Sequence, residues 1–195
     1  MKKMLWGKKK LETHQLFSDP LNIEFEISVK VNEEIELLFD MNYVEWNEED
    51  EYKAWYQNGE RHRLDGPAVV RADGYEEWWQ YGKLHRLDGP AVVYPNGTEA
   101  WYLYGKKHRL DGPAFVGSDG TEAWYQYGKL HKLDGPAFVW DNGDEEWYQN
   151  GKRHRLDGPA VVGSNGDGAY YIKGRWLTKE EFMERTNVPL NQLEF

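Results

Sequence analysis

His62, His85, His108, His131 and His154 stand 23 residues apart each time, and this period constrains the fold more than any other feature of the chain. Trp55, Trp78, Trp101, Trp124 and Trp147 keep the same spacing, and Tyr170 continues their series. So do Asp65, Asp88, Asp111, Asp134 and Asp157, each followed by Gly-Pro. A second marker, Asp or Asn before Gly, recurs at 73–74, 96–97, 119–120, 142–143 and 165–166. Five copies at a fixed period dictate a repeat array, in which each unit buries its apolar surface against the next.

One unit reads TEAWYLYGKKHRLDGPAFVGSDG, residues 98–120. The segments EAWYLYG and AFVG are aromatic and β-prone, and each suits a short strand. KKHRLDGP lies between them as a loop. There Asp111 can accept backbone N–H bonds, Gly112 tolerates positive φ, and Pro113 fixes φ before the next strand. SDG is a two-residue hairpin signal, since a type I′ turn needs positive φ at both central residues. The expectation is all-β: an elongated antiparallel β-hairpin repeat array with two strands per repeat, tight turns along one edge and longer loops along the other. Strands lie about 4.8 Å apart, so equivalent residues sit about 9.6 Å apart. A Trp row and a second aromatic row (56, 79, 102, 125 and 148) then fall on opposite faces. Either the ribbon curls on itself, or a cap or partner covers one face.

The period, the W-Y-x-N-G-K-x-H run and the later Asp/Asn-Gly resemble MORN repeats, which are β-hairpin arrays. The departure is that His is followed here by Arg/Lys-Leu-Asp-Gly-Pro-Ala rather than by Gly-x-Gly. That variant, with its GRWLTKEEF tail, is similar to repeat proteins of phages, giant viruses and bacteria. The resemblance spans residues 52–182. It implies a scaffold or adaptor without catalytic residues. For a phage protein it would imply an inhibitor of a host or defence protein.

The ends read differently. Residues 22–31, NIEFEISVKV, alternate apolar and polar, with Ile23, Phe25, Ile27, Val29 and Val31 on one face, and predict a strand. EIELLFDMNYVEW, 34–46, predicts a second strand, or a short helix and a strand. Residues 1–51 thus form an N-terminal cap or subdomain, 52–174 hold five repeats and a degenerate sixth, and 175–195 form a helical cap. In that last segment Thr178 and Glu181 make a capping-box pattern and Phe182 faces the sheet.

Net charge is −10, concentrated in residues 18–51, which carry twelve acids and one Lys. That acidity argues against unspecific nucleic-acid or anionic-membrane binding. There is no cysteine, so disulfides and thiolate metal sites are excluded. No apolar run reaches the length of a membrane span, and the apolar stretch after the first lysines is too short for a secretory signal. A cytoplasmic location is the expectation.

The His-Arg-Leu-Asp loop has the residue types of an active or metal site, but repetition argues against both. Zinc donors lie about 2 Å from the ion, and histidines about 9.6 Å apart cannot share one. Catalysis needs a singular pocket, and no Ser or Thr recurs beside the His. No cofactor, metal or catalytic residue is expected. The loop is read instead as scaffolding: His bridges neighbouring loops, Arg stacks on the aromatic rows, and Leu64, Leu87, Leu110, Leu133 and Leu156 plug inward. Two binding surfaces remain. One is a basic loop rim of Lys83, His85, Arg86, Lys106, Lys107, His108, Arg109, Lys129, His131, Lys132, Lys152, Arg153, His154 and Arg155, opposite an acidic turn rim. The other is an acidic patch of Glu45, Glu48, Glu49, Asp50 and Glu51 on the cap, which also reads as a solvated edge. The expected partner is another protein. A small ligand or polyanion (nucleotide, nucleic acid or glycan) on the aromatic rows and basic rim is the alternative.

Overall fold

The computed structural model describes residues 24–30, 38–47 and 51–187. They form one long antiparallel sheet of 15 strands, four further two-stranded hairpins and a single short helix. The all-β repeat array is therefore as expected, but the repeat unit is not.

Each central copy makes two hairpins rather than one. EAWYLYG does not run as a continuous strand, because it breaks at the tryptophan. Glu99–Ala100 pairs on both sides within the long sheet, with Val92–Val93 and Phe115–Val116. Tyr102–Leu103 leaves that sheet and pairs with Lys106–Lys107 in a side hairpin. Trp101 is the hinge: its N–H donates to the Ala114 carbonyl at 2.8 Å, and its own carbonyl accepts from His108 N at 3.0 Å. The two backbone groups of one residue thus serve two different segments. The first copy keeps a continuous strand, Tyr52–Gln57, because the N-terminal strand Leu38–Asn47 pairs along its whole length.

Turn chemistry follows from this division. The side hairpin turns on Tyr104 (φ 48°) and Gly105 (φ 78°), so the two-residue type I′ signal belongs here. At the Ser-Asp-Gly turn only Gly120 has positive φ. Gly117 N donates to the Thr121 carbonyl and Gly120 N to the Gly117 carbonyl, which makes a three-residue loop closed by a glycine. Asp119 Oδ1 accepts from Thr121 N at 2.9 Å, the local bond that Asp contributes to turns.

Side hairpins stack on one another. Gly105 N donates to the Leu84 carbonyl of the preceding copy at 2.8 Å, and the bond recurs from Gly128, Gly151 and Gly174. Left-handed φ costs a residue such as tyrosine about 1–2 kcal/mol. The bonds that Tyr104 and Gly105 make to the preceding copy hold them in that conformation.

The buried centre of the repeats is narrow. Its fully enclosed side chains are small: Ala68, Ala91, Ala114, Ala137 and Ala160 are 0% exposed, and Ala54, Ala100 and Ala123 are at most 4% exposed. The tryptophan row and the second aromatic row are half-buried, whereas Tyr81, Tyr104 and Tyr127 at the side-hairpin turns are exposed. Each tryptophan ring is covered by the Arg or Lys of its own loop, and the second aromatic row belongs to the side hairpins from the second copy to the fifth.

At the N-terminal end, Glu24–Lys30 pairs antiparallel with Leu38–Asn47, so both predicted strands extend the long sheet. The facing of the side chains in the first of them lies outside the described residues. At the other end, Tyr170, Leu177 and Phe182 cluster against Ile172 and Met183. The helix Lys179–Thr186 starts on a capping box, with Thr178 Oγ accepting from Glu181 N at 3.2 Å and Glu181 Oε2 from Thr178 N at 3.0 Å. Phe182 is 0% exposed. Phe182→Ala will cost about 3–5 kcal/mol, measured as a fall in the urea midpoint. Loss will begin at the last repeats, since solenoid stability is summed from neighbour interfaces.

Candidate functional site: the repeated His-Arg-Leu-Asp loop

The loop is built around a clamped arginine. The Arg109 guanidinium lies 4.2 Å from the Trp101 ring centroid, its Nε donates to Asp111 Oδ1 at 3.0 Å and its Nη1 to the Pro113 carbonyl at 3.3 Å. Arg63, Arg86 and Arg155 repeat this with Trp55, Trp78 and Trp147 at 4.0–4.1 Å. Lys132 takes the same place 3.7 Å over Trp124. Asp65, Asp88 and Asp111 are held below the usual carboxylate range first by the hydrogen bond from their arginine.

Glycine in Asp-Gly-Pro is explained by space rather than by φ. A Cβ on Gly89 would lie 2.8 Å from the Arg86 Cζ, and on Gly112 2.9 Å from the Arg109 Cζ. Neither glycine has positive φ. The residue lets the guanidinium lie flat between the turn and the indole.

Each histidine accepts a backbone bond from the following copy. His85 Nδ1 accepts from Tyr104 N at 3.2 Å, and His62, His108, His131 and His154 do the same from Tyr81, Tyr127, Asn150 and Lys173 at 3.1–3.2 Å. The predicted bridging role of His is therefore observed. The bond requires a neutral ring at Nδ1. Burial pushes the His85 and His154 imidazoles below their ordinary value of 6.5. With the folded value depressed, the unfolded chain binds more protons just below pH 6.5, so stability falls as pH drops from 6.5 toward the folded value. We expect a lower melting temperature at pH 5.5 than at pH 7.5, with the difference reduced in a variant carrying His85→Asn and His154→Asn. An unchanged difference would assign the acid sensitivity to other groups.

The leucines are the main correction. Leu64, Leu87, Leu110, Leu133 and Leu156 do not plug inward; they are 71%, 82%, 74%, 74% and 55% exposed. The cause is local. In four copies Arg and Asp, two apart, turn to the same side to make their ion pair, and the leucine between them faces the other way; in the fourth copy of the array, Lys132 stacks on Trp124 and Leu133 is turned out in the same manner. The array therefore carries a ridge of solvent-facing leucines, one per repeat, about 9.6 Å apart. A leucine between two charged residues in a seven-residue loop, repeated without exception, was the available sequence signal.

The fourteen rim residues do not share one surface. Lys83, Lys106, Lys129 and Lys152 form an exposed row on the side hairpins, and their stems lie beneath the turn glycine of the next copy. Lys107 and Arg153 turn into the aromatic trough between the long sheet and the side hairpins. Arg86, Arg109, Lys132 and Arg155 are spent on tryptophans, and His85, His108, His131 and His154 on backbone bonds. On the cap, Glu45 Oε2 accepts from Tyr56 OH at 2.9 Å and Glu51 is exposed. Glu48, Glu49 and Asp50 lie outside the described residues.

Among the described residues no three His, Asp or Glu side chains are placed to hold a metal ion, and no helix is long and apolar enough to cross a membrane. No family model, curated protein or solved structure matches the chain. The likeness to MORN repeats accordingly stands on the repeat residues themselves.

Proposed function

We propose that this chain is a non-catalytic repeat scaffold that binds another protein along its leucine ridge. The observation that carries this reading is the exposure of the same apolar side chain in all five copies. Isolated surface leucines need no explanation, but an evenly spaced row of them on clamped loops is a preformed apolar contact surface. Rigidity matters because a preorganised surface loses little conformational freedom on association. A binding role without chemistry is further supported by the histidines, whose Nδ1 atoms are occupied by the backbone.

Capture from a cell lysate tests this reading. Wild-type chain should retain a discrete protein in stoichiometric amount, and a Leu87→Ser, Leu110→Ser, Leu133→Ser variant should lose it. Identical retention by both would contradict the proposal. The exposed row Lys83, Lys106, Lys129 and Lys152 favours a second reading, an anionic polymer bound along the side hairpins. That reading predicts affinity falling steeply with salt and insensitive to the leucines.

A further inference from the structure

The aromatic trough contains three cations at alternate copies, and two of them are met by carboxylates from the long sheet. Arg61 Nη1 lies 3.3 Å from Glu77 Oε2, sixteen residues later. Arg153 Nε lies 2.9 Å from Glu146 Oε2, seven residues earlier. These glutamates are only 14% and 13% exposed, and each takes further donors from the trough. Trp79 Nε1 donates to Glu77 at 2.8 Å, and Tyr148 OH to Glu146 at 2.7 Å. Tyr75 OH also donates to Glu77.

Lys107 is the third cation, at the middle of the array. Its two corresponding sheet positions, seven residues earlier and sixteen later, are Ala100 and Ala123. Among the described residues no carboxylate lies within ion-pair distance of Lys107. Its ammonium instead stands 4.8 Å from the Phe115 ring centroid and 5.2 Å from that of Tyr125. By the same register, Tyr102 corresponds to Tyr148 and Tyr125 to Trp79, the side chains that donate to the neighbouring glutamates. Neither the Tyr102 nor the Tyr125 hydroxyl bonds to another described residue.

We propose that Lys107, Tyr102 and Tyr125 form a site for one carboxylate from outside the chain, seated over Ala100 and Ala123 as Glu77 and Glu146 are seated in their copies. The site is separate from the leucine ridge and does not depend on it. The ammonium supplies the charge and the two phenols supply neutral donors, beside the Phe115 ring, which stands opposite both alanines where the glutamate copies have Val69 and Val161. Burial keeps both phenols protonated by pushing their titration upward, and it disfavours the lone ammonium. An incoming carboxylate relieves that penalty by pairing.

The test titrates the full chain with sodium acetate, following the Tyr102 and Tyr125 ring signals and the Lys107 Cε protons by NMR. Saturable shifts confined to these residues, and absent in Lys107→Met, are expected. Shifts that are absent, or that persist in Lys107→Met, would overturn the proposal. A parallel titration with capped Gly-Glu-Gly identifies the source of the carboxylate. Binding at least tenfold tighter than acetate marks an acidic peptide segment, whereas equal binding marks a small organic acid. An independent arm uses Ala100→Glu and Ala123→Glu. Glutamate at a buried alanine ordinarily unfolds a protein, but at least one of these should fold, melt near the wild-type temperature and abolish the acetate shifts. Ala114→Glu, at a fully buried alanine away from the trough cations, is the unfolding control. If both trough variants unfold as the control does, the site has no room for a carboxylate and the proposal fails.

Discussion

Trp101→Ala is expected to lower stability by roughly 3 kcal/mol, toward the low end for truncation of a large packed aromatic. The indole is only half-buried, yet its loss has several consequences at once. It removes the platform under Arg109, so the guanidinium loses its stacking contact at 4.2 Å. Asp111 and the Pro113 carbonyl are then held by an unsupported side chain, and the Asp-Gly-Pro turn loosens. Trp101 is also the residue at which the chain passes from the long sheet to the side hairpin, bonding Ala114 on one side and His108 on the other. Because each copy contacts mainly its neighbours, damage at the third copy should uncouple the array into two halves. Urea denaturation should show a lower midpoint and a broadened or split transition. Hydrogen exchange should quicken first around residues 98–116. Arg109→Ala, which leaves the indole in place, should cost less. Equal losses in the two variants would mean that the clamp acts only through its charge.

Replacing Leu87, Leu110 and Leu133 together by serine should leave the melting temperature nearly unchanged while weakening partner binding by a thousandfold or more. Surface substitutions away from packed features usually stay within about 0.5 kcal/mol, and these side chains are 74–82% exposed. Burying a leucine contributes about 1.5–3 kcal/mol, and each 1.4 kcal/mol is a factor of ten in affinity. Single substitutions should therefore weaken binding by about tenfold each, and the three should combine nearly additively, since sites separated by more than about 7–10 Å act independently. Titration calorimetry with the captured partner would show this gradation. A single dominant leucine would instead indicate a pocket at one copy rather than a ridge.

Much of the architecture was legible in the chain because repetition makes local signals redundant. The period, the capping box at Thr178 and Glu181, the strand over Glu24–Lys30 and the stacking of Arg on Trp all follow from residue type and spacing. The break at tryptophan did not. EAWYLYG is uniformly β-prone, and propensity does not reveal that successive residues pair in different sheets. Tyr104 in the left-handed region was equally hidden, since tyrosine rarely adopts it and the bonds that hold it there come from another copy. The leucines were misplaced for a related reason. Apolar character favours burial on average, but the cation before each leucine stacks on a tryptophan and the leucine faces away from it. The trough carboxylates were hidden as well, because the partners of Glu77 and Glu146 lie 16 and 7 residues away and only the register of the side hairpins brings them together.

The most direct measurement of the ridge is site-specific photocrosslinking from a photoreactive residue placed singly at 87, 110 or 133, compared with placement at Asn96 or Asp119 on the turn edge. The leucine positions should each yield the same protein adduct and the turn positions none. Adducts of equal yield from both edges, or none from the leucine positions, would contradict the proposal that the leucine ridge is the binding surface.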